Sequence, residues 1–337
     1  MIKVGFDISQ LAHNGGVATY TANLAAKLAE FTDLEMVYFY SSLRRPYQGS
    51  LRNVKKFKLP PTFFELLFNK LHNVPIERFL GPVDVFHSSD WVQPPSKARK
   101  VTTFHDLVPL KHPELSHPKI VEVNRRRLEV VKKEVDMVIA VSEATRKDLI
   151  EVSGLPDKKI TVIYEGVGEE FKPQPSDKVE QFKKRYGLGE FVLAIGGVGK
   201  RRNLERIKEA SKKFNLVVSG ETIPRVPNSE MPLLYAAAKI LFYPSLYEGF
   251  GLPILEAMAC GTPVITSNVS SMPEVAGNAA VLVNPENVSE MSIKLEELMS
   301  NKSLRKEMIT KGLKRAKQFS WDKCARQTAE VYKRLCC

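Results

Sequence analysis

Cysteine is scarce: Cys260, Cys324, Cys336 and Cys337 are the only four in 337 residues. Their spacing matches neither a metal-ligand set nor a disulfide framework. That excludes a zinc module and a cross-linked secreted scaffold, and it leads us to expect a reducing, cytoplasmic compartment. Long apolar runs are missing, since none reaches the roughly 18 residues that a membrane-spanning helix needs. The chain as read enters a strand at once with "IKVGFDI", so no secretory signal is expected. The loop "DISQLAHNGG" lacks the Gly-x-Gly-x-x-Gly spacing of a dinucleotide fingerprint, which argues against a Rossmann dehydrogenase. The sequence also has no nucleic-acid-binding motif and no interleaving of aromatic with basic residues, so nucleic acid is not an expected partner.

What the chain has in excess is positive charge, a net +12. An anionic partner follows, and with nucleic acid set aside, anionic lipid headgroups and phosphorylated small molecules remain. A composition of 43% hydrophobic and 26% charged residues is that of an ordinary globular protein, and the length suggests two domains. Short apolar strands alternate with helical stretches, the pattern of an α/β chain with parallel sheets. In "VATYTANLAAKLAEF", Val17, Tyr20, Leu24, Leu28 and Phe31 recur at spacings of three and four, one face of a helix. Strands are expected at "MVYFYS", "VDVFHS", "KVTTFHD" and "MVIAVS", with Ser142 N-capping the helix "EATRKDLI". After the polar stretch "YEGVGEEFKPQPSDK" a second run supplies "FVLAIGG", "LVVSGE", "ILFYPS", "PVITS" and "AAVLVN". Ligands of such open parallel sheets bind beyond the C-terminal strand ends.

One of those strand ends carries the most informative stretch, "SLYEGFGLPILEAMACGTPVI" at residues 245–265. The loop "YEGFGL" leaves the strand. Pro253 suits the first helical position, Gly261 the C-terminal cap, and Pro263 blocks continuation. Glycines 249 and 251 leave backbone N–H groups at a helix N-terminus, where anions bind. Glu248 and Glu256 flank that place. As bystanders they would be a solvated loop acid and a helix-dipole partner. As ligand groups they would accept hydrogen bonds from hydroxyls on either side of a phosphate, sugar on one side and ribose on the other.

This stretch, with "AAAKILFYPS" before it and "SSMPEVAGNAAVLVNP" after it, closely resembles the Glu-x7-Glu signature of the retaining glycosyltransferases with the GT-B fold (glycosyltransferase family 4) over residues 235–285. The resemblance implies two facing Rossmann-like domains with a cleft between them. The expected division is an acceptor-side domain at 1–168, a nucleotide-sugar-binding domain at 169–318, and a final helix at 319–337 that crosses back. Along "GFDISQLAHNGGVATYTANLAAKL", Gly15 and Gly16 match the place where backbone amides meet the donor diphosphate and its sugar. "TTFHDLVPLKHPE" is similar to the family's His-Asp segment, mannosyltransferase-like members in particular. It implies His105 at the anomeric centre and Asp106 beside it. "AIGGVGKRRNLERI" resembles the loop whose cations grip the diphosphate, which assigns Arg201, Arg202 and Asn203 to the donor. Cations fixed there would stabilise a leaving phosphate more in the transition state than in the ground state. By the same resemblance Glu248 holds the transferred sugar and Glu256 the ribose, while Gly249, Phe250, Gly251 and Leu252 line the donor site.

The implied activity is metal-independent transfer of a sugar, with retention, from a nucleotide-diphosphate-sugar (GDP-mannose or a UDP-sugar) to a hydroxyl on a glycan or lipid-linked acceptor. No Asp-x-Asp occurs in the chain, the arrangement with which glycosyltransferases of the other major fold hold a metal. No carboxylate pair for a double displacement is evident, and the family implies front-face displacement assisted by the departing phosphate. No cofactor is expected. The alternatives are a non-catalytic nucleotide-sugar-binding partner and a GT-B epimerase or phosphorylase. The chain departs from the family pattern at four places. The family's Asn-Gly-Val-Asp reads "EGVG", with Glu165 and Gly168 substituted; Gly197 stands for an arginine; Arg202 stands for a lysine; and "LVVSGE" runs almost directly into "TIPRVPNSEMPLLYAAAKI", which shortens the second domain. Two basic amphipathic stretches lie in the first domain. In one, Phe63, Phe64, Leu67, Phe68 and Leu71 can share a helix face, suited to the core or to peripheral contact with the inner membrane face or a lipid-linked acceptor. In the other, the arginines 125–127 read as a solvated face.

Overall fold

The computed structural model of the chain describes residues 1–88, 90–196 and 199–337. It divides into two compact units, Met1–Gly166 with Trp321–Cys337, and Val167–Ser320. The first holds seven parallel strands, β1 (Ile2–Asp7), β2 (Leu34–Ser41), β3 (Val54–Phe57), β4 (Val85–Ser88), β5 (Arg99–Phe104), β6 (Met137–Ala140) and β7 (Ile160–Val162). Their order is β3-β2-β1-β4-β5-β6-β7, so the order reverses between β1 and β4, and a crevice opens there at the C-terminal strand ends. Strands such as β4 are buried along their whole length, as a parallel sheet covered on both faces requires.

Two of these strands carry no clear sequence signal. β3 reads "VKKF" with both lysines exposed, a charged edge strand of the kind that discourages further pairing. β7 is three residues long. Where the sequence is clear, the local physics is plain. Ser142 Oγ accepts the Thr145 N–H at 3.0 Å to start the helix Glu143–Ser153, and Gly154 at φ +67° ends it. The helix Gly16–Leu28 buries Tyr20, Thr21, Leu24, Ala25 and Leu28. The helix Trp321–Cys336 belongs to the same unit and packs on Gly16–Leu28, burying Trp321, Cys324, Ala325 and Tyr332 among others.

Two expectations need correction. The shared helix face at 63–71 is split, because the turn Pro61–Phe64 passes into a π-helix, Glu65–Leu71. That wider winding changes the phase of the side chains. Phe64 and Phe68 enter a core with Val37, Phe39 and Phe86, while Phe63, Leu66 and Leu71 face outward. The arginine run is not one solvated face either. Arg125 is exposed, but Arg127 is only 1% exposed. Its guanidinium donates to Thr102 Oγ1 at 2.8 Å and the Thr103 carbonyl at 3.0 Å, lies 3.3 Å from Asp90, and stacks over Phe104.

The second unit is a five-stranded parallel sheet: β8 (Val192–Ala194), β9 (Leu216–Val218), β10 (Ile240–Tyr243), β11 (Val264–Ser267) and β12 (Val281–Val283), in the order β12-β11-β10-β8-β9. Here the order reverses between β8 and β10. β9 is one of the two edge strands, and a tight turn follows it in which the Gly220 N–H donates to the Ile223 carbonyl. The helix after β10 is Leu252–Ala259, one residue longer at its start than the proline suggested, with Pro253 at its second position. Gly251, at φ +105°, makes the bend into it, and Gly261, at φ +80°, leads out.

Candidate active site

The reversal point of the second sheet brings three of the expected residues together. The short turn Lys200–Arg202 follows β8, and the loop bearing Glu248 follows β10. The two are tied by the Leu246 N–H, which donates to the Arg201 carbonyl at 2.8 Å. Arg202 forms a close ion pair with Glu248, and Arg201 Nη1 lies 3.7 Å from the other carboxylate oxygen. Glu248 is 5% exposed. A carboxylate so buried needs compensation, and the Tyr243 hydroxyl adds a third donor at 2.8 Å. Arg202 also lies over the Tyr243 ring, 5.3 Å from its centre. The Glu248 backbone is pinned in turn, its carbonyl accepting from Ser270 and Ser271. Ser271 also donates to the Phe250 carbonyl at 2.8 Å.

Other assigned residues take different places. Asn203 was expected on the diphosphate, but its side chain is buried and committed to the framework. Nδ2 donates to the carbonyls of Pro244 at 3.0 Å and Pro285 at 2.6 Å, and Oδ1 accepts from Arg206. It staples the two loops at the head of the helix Leu204–Ala210. Glu256 accepts from the Tyr235 hydroxyl at 2.7 Å, and burial, with the charge of Glu256, raises the Tyr235 pKa well above that of a free phenol. Phe250 and Leu252 have buried side chains. Gly197 lies outside the described residues.

In the first unit, Gly15 and Gly16 are exposed at the start of the helix Gly16–Leu28, and a Cβ on either would meet nothing within 4 Å. Gly15 has φ +125°, a region that disfavours other residues. His105 follows β5, and its Nδ1 is 3.1 Å from Glu165 Oε1. Tyr20 meets its ring edge-on, centre to centre 4.5 Å. Burial lowers the pKa of His105, but the Glu165 hydrogen bond and the charges of Glu165, Asp90 and Asp106 outweigh it, and the net shift is upward. Asp106 Oδ1 accepts the Val108 N–H at 3.0 Å and shapes the turn after β5. Behind Tyr20 runs a buried polar chain. Tyr20 bonds Thr103 at 3.1 Å, Thr103 bonds His87 Nε2 at 2.8 Å, and His87 Nδ1 bonds the Tyr332 hydroxyl at 2.6 Å. At the reversal point of this sheet a cavity of about 380 Å³ is lined by Asp7, Gln10, His13, Phe64, Asp90 and Trp91, among others.

Sequence reasoning missed Tyr243, Tyr235, Ser271 and the role of Glu165 as the partner of His105. Only Glu165 had left a signal, as a departure from the family pattern. Among the described residues no cluster of His, Cys, Asp or Glu could hold a metal, and no helix is long and apolar enough to cross a membrane.

Comparison with known proteins places these features in context. Residues 145–315 match the family model described as glycosyl transferases group 1, and residues 14–171 the one described as glycosyltransferase family 4. The O-antigen chain mannosyltransferase B of Escherichia coli is 32% identical over 284 residues, 74% of each chain. Among solved structures, sucrose-phosphate synthase from Thermosynechococcus elongatus superposes with a TM-score of 0.80 at 18% identity over 99% of both chains. HepE of Anabaena, in complex with UDP and glucose, superposes with a TM-score of 0.74 at 16% identity, covering 99% of this chain and 100% of its own. At those identities the likeness is one of fold.

Proposed function

Because this chain belongs to the group 1 glycosyl transferases and has their GT-B fold, we propose that it transfers a hexosyl group, with retention and without a metal, from a nucleotide-diphosphate-sugar to an acceptor hydroxyl. The observation that carries this reading is the Arg201–Arg202–Glu248 cluster at the reversal point of the second sheet. Two guanidiniums beside one buried carboxylate form a site that can grip a diphosphate bidentately and accept a hydrogen bond from a sugar hydroxyl at the same place. As the bond between C1 and the phosphate oxygen breaks, negative charge gathers on the phosphate, where the arginines stabilise it. The acceptor oxygen bonds C1 on the same face, and its proton passes to the departing phosphate. Glu256, held by Tyr235, is the ribose contact, and the amides of residues 249–252 meet the phosphates. His105 and Asp106, with the amides at Gly15 and Gly16, act at the sugar.

The mannosyltransferase relative makes GDP-mannose the first donor to test, and the UDP complex of HepE makes UDP-glucose the second. The outward-facing Phe63, Leu66 and Leu71 beside Lys70 support a glycan acceptor that is lipid-linked, met at the inner membrane face. The test is a thermal-shift screen against GDP, UDP, ADP and their sugar conjugates, with and without EDTA. At 100 times its dissociation constant a ligand adds about 2.7 kcal/mol of stability. The expected result is a shift with one nucleotide family, unchanged by EDTA and diminished in Arg202→Ala and Glu256→Ala, followed by a product whose anomeric configuration is that of the donor. A flat screen, or inversion at C1, would defeat the proposal.

A further inference from the structure

We propose that Glu165 is a positioning residue for His105, fixing Nδ1 of the imidazole through its buried carboxylate and thereby presenting Nε2 to the ligand at the end of β5. The proposal rests on the reading of His105 as the group facing the transferred sugar. The two residues come from the ends of different strands. His105 follows β5 directly, and Glu165 follows β7. They meet at 3.1 Å, with side chains 10% and 5% exposed. A glutamate this buried is costly unless something answers it, and among the described residues the His105 ring is its hydrogen-bond partner. Nε2 has no such partner among the described residues. A carboxylate on one ring nitrogen selects the tautomer and leaves the other nitrogen for chemistry.

The second restraint is Tyr20, whose ring meets the imidazole edge-on at 80° and 4.5 Å. Tyr20 is itself fixed by its bond to Thr103. Between Glu165 and Tyr20 the ring has one orientation. The position also explains why glutamate replaces the asparagine of the related pattern. An asparagine side chain could hold the nitrogen, but it carries no charge, and only a carboxylate also favours the imidazolium. The charged and titratable groups facing His105 are Glu165, Asp90 and Asp106 as anions and Tyr20 as a neutral phenol; behind them His87 stays neutral. Cys324, on the helix Trp321–Cys336, lies close enough to Glu165 for that carboxylate to raise its thiol pKa, after the larger effect of burial. The balance of these charges favours a protonated His105, so the imidazolium would offer Nε2–H as a donor to a sugar or phosphate oxygen.

The experiment is an NMR titration of the full chain carrying 15N- and 13C-labelled histidine, with His105 assigned by its disappearance in His105→Asn. In the native chain Nδ1 should be the protonated nitrogen of the neutral ring, with a midpoint above that of free histidine. Glu165→Gln keeps the volume and one hydrogen-bond acceptor but removes the charge. It should retain the tautomer and move the midpoint down towards that of free histidine. Glu165→Met should lose the tautomer preference as well. Circular dichroism melts would confirm that both variants are folded, so a merely space-filling role is distinguishable. A Glu165→Gln midpoint equal to the native one, or a native tautomer in Glu165→Met, would overturn the proposal. The underlying reading is tested separately, by adding GDP-mannose or UDP-glucose, whichever raises the melting temperature. A His105 Nε2 resonance that does not move under saturation would sink that reading while leaving the pair with Glu165 intact.

Discussion

Acid should loosen the first unit through His87, and the size of the effect can be worked from its surroundings. The side chain is fully buried on β4, stacked on Phe6 at 4.9 Å and held between Tyr332 and Thr103. Burial, together with the positive charges of His105 and Arg127, pushes its pKa down to about 3. In the unfolded chain it titrates near the ordinary value of about 6.5. Between those two values the unfolded state binds a proton that the folded state refuses. The contribution is therefore present in full above pH 6.5 and is lost as pH falls towards 3. At about 1.4 kcal/mol per pH unit, the loss over that window is on the order of 5 kcal/mol, a large share of a domain's stability. His87→Gln can still bond both neighbours but does not titrate, so its stability should fall less steeply with acid. Both tryptophans, Trp91 and Trp321, belong to the first unit, so urea unfolding followed by their fluorescence reads the right part of the chain. Equal pH slopes in the native chain and His87→Gln between pH 6 and 4 would refute the reasoning.

Two further perturbations address the second unit, which contains no tryptophan and is followed by circular dichroism. Gly251→Ala forces a side chain into φ +105° with its Cβ 3.1 Å from Ile254 Cδ1, and should cost about 1–3 kcal/mol; an unchanged melt would mean that the bend relaxes freely. Asn203→Ala removes two buried hydrogen bonds at a residue with φ +60° and should cost about 2–4 kcal/mol. Asn203→Gly, which tolerates that φ, should cost less, and equal losses would assign the whole effect to the hydrogen bonds.

Much of the framework is legible along the chain because its signals are local. An apolar strand ending in Gly or Pro, a serine at a helix start, and a glycine after a helix end act within a few residues. For the same reason the loop bearing Glu248 and the helix bearing Glu256 could be placed from the sequence. β3 was not legible because two exposed lysines erase its apolar pattern. Arg127 was misread because charge in a helix usually means solvent, and what buries it comes from β5 and from Asp90, far away in sequence. At residues 61–71 the aromatic positions were right, but their facing was not, since the π-turn alters the angular spacing on which the expectation depended.

By itself, then, the sequence determined the α/β class, the family, and which residues stand at which strand ends, all of them properties of short windows. Only the tertiary structure decided which side chains answer one another. Arg202 closes on Glu248, Tyr235 holds Glu256, Glu165 holds His105, and Asn203 turns inward to staple two loops. The partners in these contacts are 21 to 82 residues apart in the chain. Hydrogen bonds and ion pairs act over a few ångströms of space, so such partners become visible only once the sheets have set the distances between them.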